Sequence, residues 1–315
     1  ICHWAGNTEA ATVGFGSAIW SDRGGSYAAV LKEGDALAGG DYYDPRSTPF
    51  VVNAAGRVAF VNSHDDYGYD ASLWTEGIFG VPIRIALGGG TAPGTGGAAF
   101  VPLDVSLPAM ATNGMTFFKA YLYHGGDVND SNDEGIWANR TNAVVNLVHR
   151  ESDAAPGLPG QTFAQFQSIF VNGAGRLAFV AMTDDNQRGL WVHDANGDAQ
   201  LIVKALDVSN PLDVFGDGSD MRIVLDIIMD PYSPQPEEVG TIAATGSGRR
   251  SPFNDAADVT FRLSFLDGSE GIFETSPAQN PLGDMNCDGV LDLFDIEPFA
   301  LALSSAFHTA PFDDY

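Results

Sequence analysis

The sequence predicts an all-β fold assembled from tandem repeats, with a small appendage near its C-terminal end. Three observations carry that expectation. A nine-residue motif recurs along the chain, glycine is abundant at 37 of 315 residues, and alternating apolar strands stand where helical periodicity would otherwise run. Abundant glycine favours tight turns, and tight turns favour short antiparallel strands.

The motif reads NAAGRVAFV at 53–61 and NGAGRLAFV at 172–180, with weaker copies NGMTFFKAY at 113–121 and NDAADVTFR at 254–262. Some 19 to 24 residues after each Asn comes a small or polar residue, an aliphatic and an aromatic, ending at Trp74, Trp137, Trp191 and Phe273. A fifth such triplet ends at Trp20 without an upstream motif, so the first unit is incomplete. In each copy Asn-x-x-Gly forms a turn, with Asn tolerating the left-handed region and Gly supplying positive φ. The strand that follows alternates, Val58 and Phe60 facing one side and Ala59 and Val61 the other, which predicts a half-buried strand. The aromatic strand pairs back on it. A further apolar strand then runs into turns such as KEGDALAGG and RESDAAPG. About four strands result per unit.

Such units cannot bury their faces alone and must stack. Radial closure into a β-propeller of about five blades, completed by strands from both termini, leaves few bare edges. An open β-solenoid of stacked sheets is the alternative. The repeat domain is expected over 1–277.

The repeats resemble the tandem NxxGxxAF family of secreted bacterial proteins, which often carry C-terminal sorting or anchoring segments. The resemblance spans about residues 50–275 and implies an extracellular location with no assigned catalytic residues. Met115 and Asp258 interrupt the pattern in the weaker copies, and Ala257 replaces the glycine.

Composition narrows the partners. With 15 basic against 41 acidic residues the formal charge is −26, and Arg249-Arg250 is too little to track phosphates, which excludes nucleic acid. No apolar run reaches the roughly eighteen residues of a membrane span. The chain opens on ICHWAG without an initiator Met, as a processed or partial chain would. Cys2 and Cys287 pair only if an oxidising compartment and the geometry both allow it.

Catalytic signatures such as HExxH, GxSxG, a phosphate-binding loop or paired CxxC are absent from the sequence. Acidic residues recur 12 to 14 positions after each motif Asn, at Asp65-Asp66, Asp127, Asp184-Asp185 and Asp267. A cation-binding rim is one reading, and ordinary turn chemistry is the other. The stretch DVNDSNDE, residues 127–134, is the densest cluster and a second metal candidate. A sequon, Asn139-Arg140-Thr141, is present, and in a bacterial protein chance accounts for it better than a glycan site does.

After a linker at 278–283, the segment 284–315 opens on D-x-N-x-D-G-x-x-D-x-x-D. Asp284, Asn286, Asp288, Asp292 and Asp295 supply side-chain oxygens, Val290 its main-chain carbonyl, and Gly289 the sharp bend. Hard oxygens at this spacing select Ca2+. Asp295 caps a short exit helix with Pro298 in its first turn. A loop with an exit helix alone, closing on Asp, resembles the type I dockerin repeat, and NCDGVLDLFDIEPFALAL is similar to dockerin-like tails of planctomycete secreted proteins. Dockerins carry two such repeats and this sequence shows one, which bears on cohesin binding rather than on calcium.

Two functions follow as expectations. The first is a secreted, calcium-binding, non-catalytic structural protein. Its tail would hold a cohesin-like or cell-envelope partner, or another copy, giving a homo-oligomer or filament. The second is a carbohydrate-active enzyme or lectin-like propeller carrying a dockerin module, with polysaccharide as its ligand.

Overall fold

The computed structural model describes residues 2–6, 17–21, 28–44, 50–63, 71–77, 81–101, 108–141, 144–214, 218–229 and 252–275. All belong to the first of two units into which the chain divides, Ile1–Thr275; residues 276–315 lie outside the described residues.

The fold is all-β, and among the described residues there is no helix. Five antiparallel sheets follow one another in chain order, each a meander of sequential strands. Sheet one holds β1 (Cys2–Gly6), β2 (Ser17–Ser21) and β3 (Ala28–Lys32); sheet two holds β4 (Phe50–Val52), β5 (Val58–Ser63), β6 (Ala71–Thr75) and β7 (Ile83–Leu87). Sheet three holds β8 (Ala109–Met110), β9 (Thr116–Tyr121), β10 (Glu134–Thr141) and β11 (Val144–Arg150). Sheet four holds β12 (Phe163–Val171), β13 (Leu177–Thr183), β14 (Arg188–His193) and β15 (Ala199–Lys204). A two-stranded ribbon, β16 (Leu212–Asp213) and β17 (Met221–Arg222), precedes sheet five: β18 (Val224–Ile228), β19 (Val259–Phe265) and β20 (Glu270–Thr275).

The repeated residues occupy repeated places. Phe60 lies directly opposite Trp74 across β5 and β6, as do Phe118 and Trp137, Phe179 and Trp191, and Phe261 and Phe273 in their sheets. Each pair stacks nearly parallel, with centroids 5.7–6.4 Å apart. Offset stacking of this kind adds about 1 kcal/mol to what area burial provides. The residue two before each aromatic lies under its ring. A Cβ built on Gly189 would overlap the Trp191 ring, and one on Gly135 would come within 2.8 Å of Trp137. In sheet two that place holds Ser72, whose Oγ accepts a 2.7 Å hydrogen bond from Trp74 Nε1.

Packing between sheets explains why the motif strand is more deeply buried than alternation alone predicts. Val58 and Phe60 pack toward sheet one, Val61 toward sheet three, and all are at most 3% exposed. The strand is therefore buried on both faces, not half-buried, because each inner sheet lies between two neighbours. Further apolar cores join sheet three to four and four to five.

The connections repeat as well. Ala92-Pro93-Gly94 and Ala155-Pro156-Gly157 lie in the links that lead into sheets three and four. The Pro93 carbonyl accepts from Trp137 Nε1 and the Pro156 carbonyl from Trp191 Nε1, each at 3.0 Å. Each link thereby covers the aromatic of the sheet that follows it.

The turn that opens each unit differs from the sequence expectation in two respects. Gly56 and Gly175 take positive φ as expected, and Gly114 and Ala257 (71°) do so in the weaker copies, but neither Asn53 nor Asn172 is left-handed. These asparagines act through their side chains. Asn53 Oδ1 accepts from the amides of Ala55 and Arg57, while its Nδ2 donates to the carbonyls of Ala111 and Thr112 in the next unit. Asn172 repeats this, accepting from Arg176 N and donating to the Asn254 carbonyl of sheet five's turn. In the third unit the residue in the Asn place is Ala111, not Asn113, since Gly114 N bonds to Ala111 O as Gly56 N bonds to Asn53 O. With no amide side chain there, the main chain makes the crossing, from Thr112 N to Gly173 O.

Candidate functional site

The predicted calcium ligands Asp284, Asn286, Asp288, Val290, Asp292 and Asp295 all lie outside the described residues, as do Cys287 and Asp65-Asp66. Of the recurring acidic tips, Asp185 accepts from Thr183 Oγ1 and Gln187 N, and Asp267 accepts from Ser269 N and Oγ. Both close their own turns, which is the ordinary use of Asp at a hairpin tip.

The connection between β9 and β10 holds the densest group of chemistry-bearing side chains among the described residues. The acidic stretch 127–134 does not act there as a unit. Asn132 accepts from Asn129 N and donates to the Asp127 carbonyl, while Asn129 accepts from the amide and hydroxyl of Ser131. Its amide side chains thus shape the loop. Asp130 and Asp133 remain, and the hairpin brings His124 to them: Nε2 lies 2.7 Å from Asp133 Oδ2 and 3.3 Å from Asp130 Oδ1.

One imidazole and two carboxylates, with donor atoms all within 4.8 Å of one another, form a group able to hold a metal ion. The donor set suits zinc or manganese better than calcium, which prefers oxygen throughout. The hydrogen bond to Asp133 raises the His124 pKa above its ordinary value, burial works against that, and the charges of Asp130 and Asp133 add to it. A cation taking these ligands would have to displace that proton. His124 escapes a sequence search because it stands outside the acidic run, on the far side of a hairpin.

Behind this loop lies a buried charged group. Lys119 Nζ is 2.6 Å from Glu134 Oε1, and Glu134 is fully buried. Glu134 Oε2 accepts from Phe166 N of the next sheet, and Lys119 donates to the Phe166 carbonyl. Glu151, 6% exposed, accepts from Glu134 N. Burial chiefly, with the charges of Glu134 and Asp133, pushes the Glu151 carboxyl up to about 8, while its bond to the Glu134 amide opposes the rise. Lys119 was legible in principle, as a lysine at an apolar place in FFKAY.

Two other features of the sequence resolve plainly. Asn139 is 5% exposed within β10, so its side chain is not presented for glycan attachment in the folded chain. Trp74, Trp137 and Trp191 are fully buried, so the sugar-stacking role that a lectin reading requires of them is overturned.

Residues 4–277 match a family described as a family of unknown function, DUF7453. The chain belongs to that family. No curated protein matches it. Among solved structures, the DUF7453 chain is similar to a periplasmic gluconolactonase from Pseudomonas aeruginosa at 14% identity and TM-score 0.27, covering 87% of this chain and 66% of that one. A GH43 β-1,3-galactosidase with galactodeoxynojirimycin is similar at 8% identity and TM-score 0.31, with 78% and 77% covered. A Lactobacillus plantarum protein is similar at 14% identity and TM-score 0.27, with 88% and 82% covered. The DUF7453 chain spans 66% of the gluconolactonase. Likeness at this level carries no argument about ring closure or activity.

Proposed function

We propose that this protein is a secreted, non-catalytic scaffold whose repeat domain closes as a β-propeller of five sheets. Its C-terminal loop binds one calcium ion and mediates attachment or self-assembly. The observation that carries the scaffold half is the use made of the motif. The stacked pairs Phe60–Trp74, Phe118–Trp137 and Phe179–Trp191 are core, and Asn53 and Asn172 join one unit to the next. What repeats serves architecture.

The calcium half rests on the sequence. Asp284, Asn286, Asp288, Asp292 and Asp295, with the Val290 carbonyl, have the spacing of a single oxygen cage with Gly289 at its bend. Without calcium those carboxylates repel one another, so the ion acts as the folding switch of the tail. A tail that engages another copy makes a heterologous contact, which closes as a ring or grows as a filament.

The competing glycosidase reading needs a carboxylate pair that substrate can reach. Glu134 and Glu151 resemble such a pair in their charge coupling, but both are buried and hold main-chain amides. Calcium titration of the whole chain by calorimetry tests the proposal, beside the Asp288→Asn variant and a panel of glycan substrates. One calcium site in the wild type, lost in the variant, with no hydrolysis, is the expected result. Turnover of a glycan, or calcium uptake unchanged by the substitution, overturns it.

A further inference from the structure

Where sheets three and four meet, His149 of β11 and His193 of β14 point their Nε2 atoms at each other across 2.8 Å. The rings stand at 78° with centroids 5.1 Å apart. Phe163, Phe166 and Phe179 surround His149, and Phe179 also meets His193 edge-on. His193 is 3% exposed.

Two imidazole nitrogens at this distance share one hydrogen: one ring donates its N–H and the other accepts with its lone pair. The bond tolerates a first added proton, because an imidazolium still donates its N–H to the lone pair of a neutral ring. A second proton puts N–H against N–H and two positive charges within one aromatic pocket. We propose that His149 and His193 form an acid-sensitive latch between the third and fourth sheets, closed by one shared proton and opened when both imidazoles are charged.

Among the described residues, the charged groups on the surrounding strands, Arg188 with Asp226 among them, are paired or bonded elsewhere. β12 and β13 carry no titratable side chain, so the pocket walls they supply are neutral. On β9 and β10, Lys119 and Glu134 pair with each other at the Phe166 main chain. Next to His149, Arg150 adds positive charge and bonds the Asn132 carbonyl, and Glu151 beyond it accepts from the Glu134 amide. After His193, Asp194 turns back to cap the amides of Asn196 and Asp198. On β15, Lys204 is paired with Asp185. The separated rings bind both protons below the ordinary imidazole range, about 6.5, and the latched rings bind one fewer, so lowering pH favours separation.

The test is hydrogen exchange of the whole chain, read by mass spectrometry and corrected for intrinsic rates. Between about pH 7.5 and about pH 5.5, protection of residues 144–150 and 188–193 should fall on the order of tenfold, while the turn-linked strands of sheet two stay unchanged. His149→Phe should remove the pH dependence. Should that variant fail to fold, nitrogen-15 NMR of the wild-type imidazoles distinguishes the same two outcomes. Coupled titration of the two rings supports the latch. Independent titration of both rings, or equal protection at both pH values, overturns it.

Discussion

Asn53 Nδ2 donates a 2.8 Å hydrogen bond to the carbonyl of Ala111, 58 residues along the chain and one unit further on. The same side chain closes its own turn through Oδ1. A repeat asparagine is thus both a local cap and a bond between units, and Asn172 does the same toward Asn254.

Asn172→Ala should therefore destabilise the chain by about 1–3 kcal/mol, since it removes the hydrogen bonds of a buried side chain to the Arg176 amide and the Asn254 carbonyl. Asn113 is exposed and serves its own turn at Met115, so Asn113→Ala should cost less than about 1 kcal/mol. Urea midpoints of the two variants decide this. Equal losses would remove the inter-unit role.

Gly189→Ala tests the aromatic stack. A Cβ there overlaps the Trp191 ring, and relieving such overlap typically costs about 1–3 kcal/mol. Near-ultraviolet circular dichroism should change with it, because the ring must move. A variant with wild-type stability and spectrum would mean that the ring has room to give.

These residues mark what the sequence reveals and what it conceals. The all-β class, the unit spacing and the core aromatics are legible because each follows from local pattern: alternation, turn glycine and the recurring tryptophan. The register of the third unit is not, because Asn113 precedes Gly114 and imitates a motif whose true first residue there is Ala111. Nor is the pair His149–His193, which packing between distant segments creates, or the meetings of Lys119 with Glu134 and of His124 with Asp133, which depend on the register of the β9–β10 hairpin.

Glu151 gives a pH prediction with a definite sign. Its folded-state pKa, about 8, lies above the unfolded 4.5, so its contribution is fully present below about 4.5 and is lost as pH rises through about 8. Thermal midpoints of the wild type should carry a downward component across that window. Glu151→Gln, which keeps an acceptor for the Glu134 amide, should flatten it. An unchanged slope contradicts the assignment.

His124 is expected to titrate above the ordinary imidazole range, raised first by its hydrogen bond to Asp133. Its ion pairs hold while it is protonated and are lost as pH rises through that raised value. Asp133→Asn should return it toward about 6.5, read by proton NMR. A His124 titration insensitive to that substitution would show that the ion pair does not form in solution.

Whether calcium switches the scaffold between free and assembled chains is decided by sedimentation velocity of the whole chain in calcium and in chelator. Calcium should give assemblies larger than one chain, dispersed by chelator and absent in Asp288→Asn. Identical sedimentation in the two conditions would rule the calcium switch out.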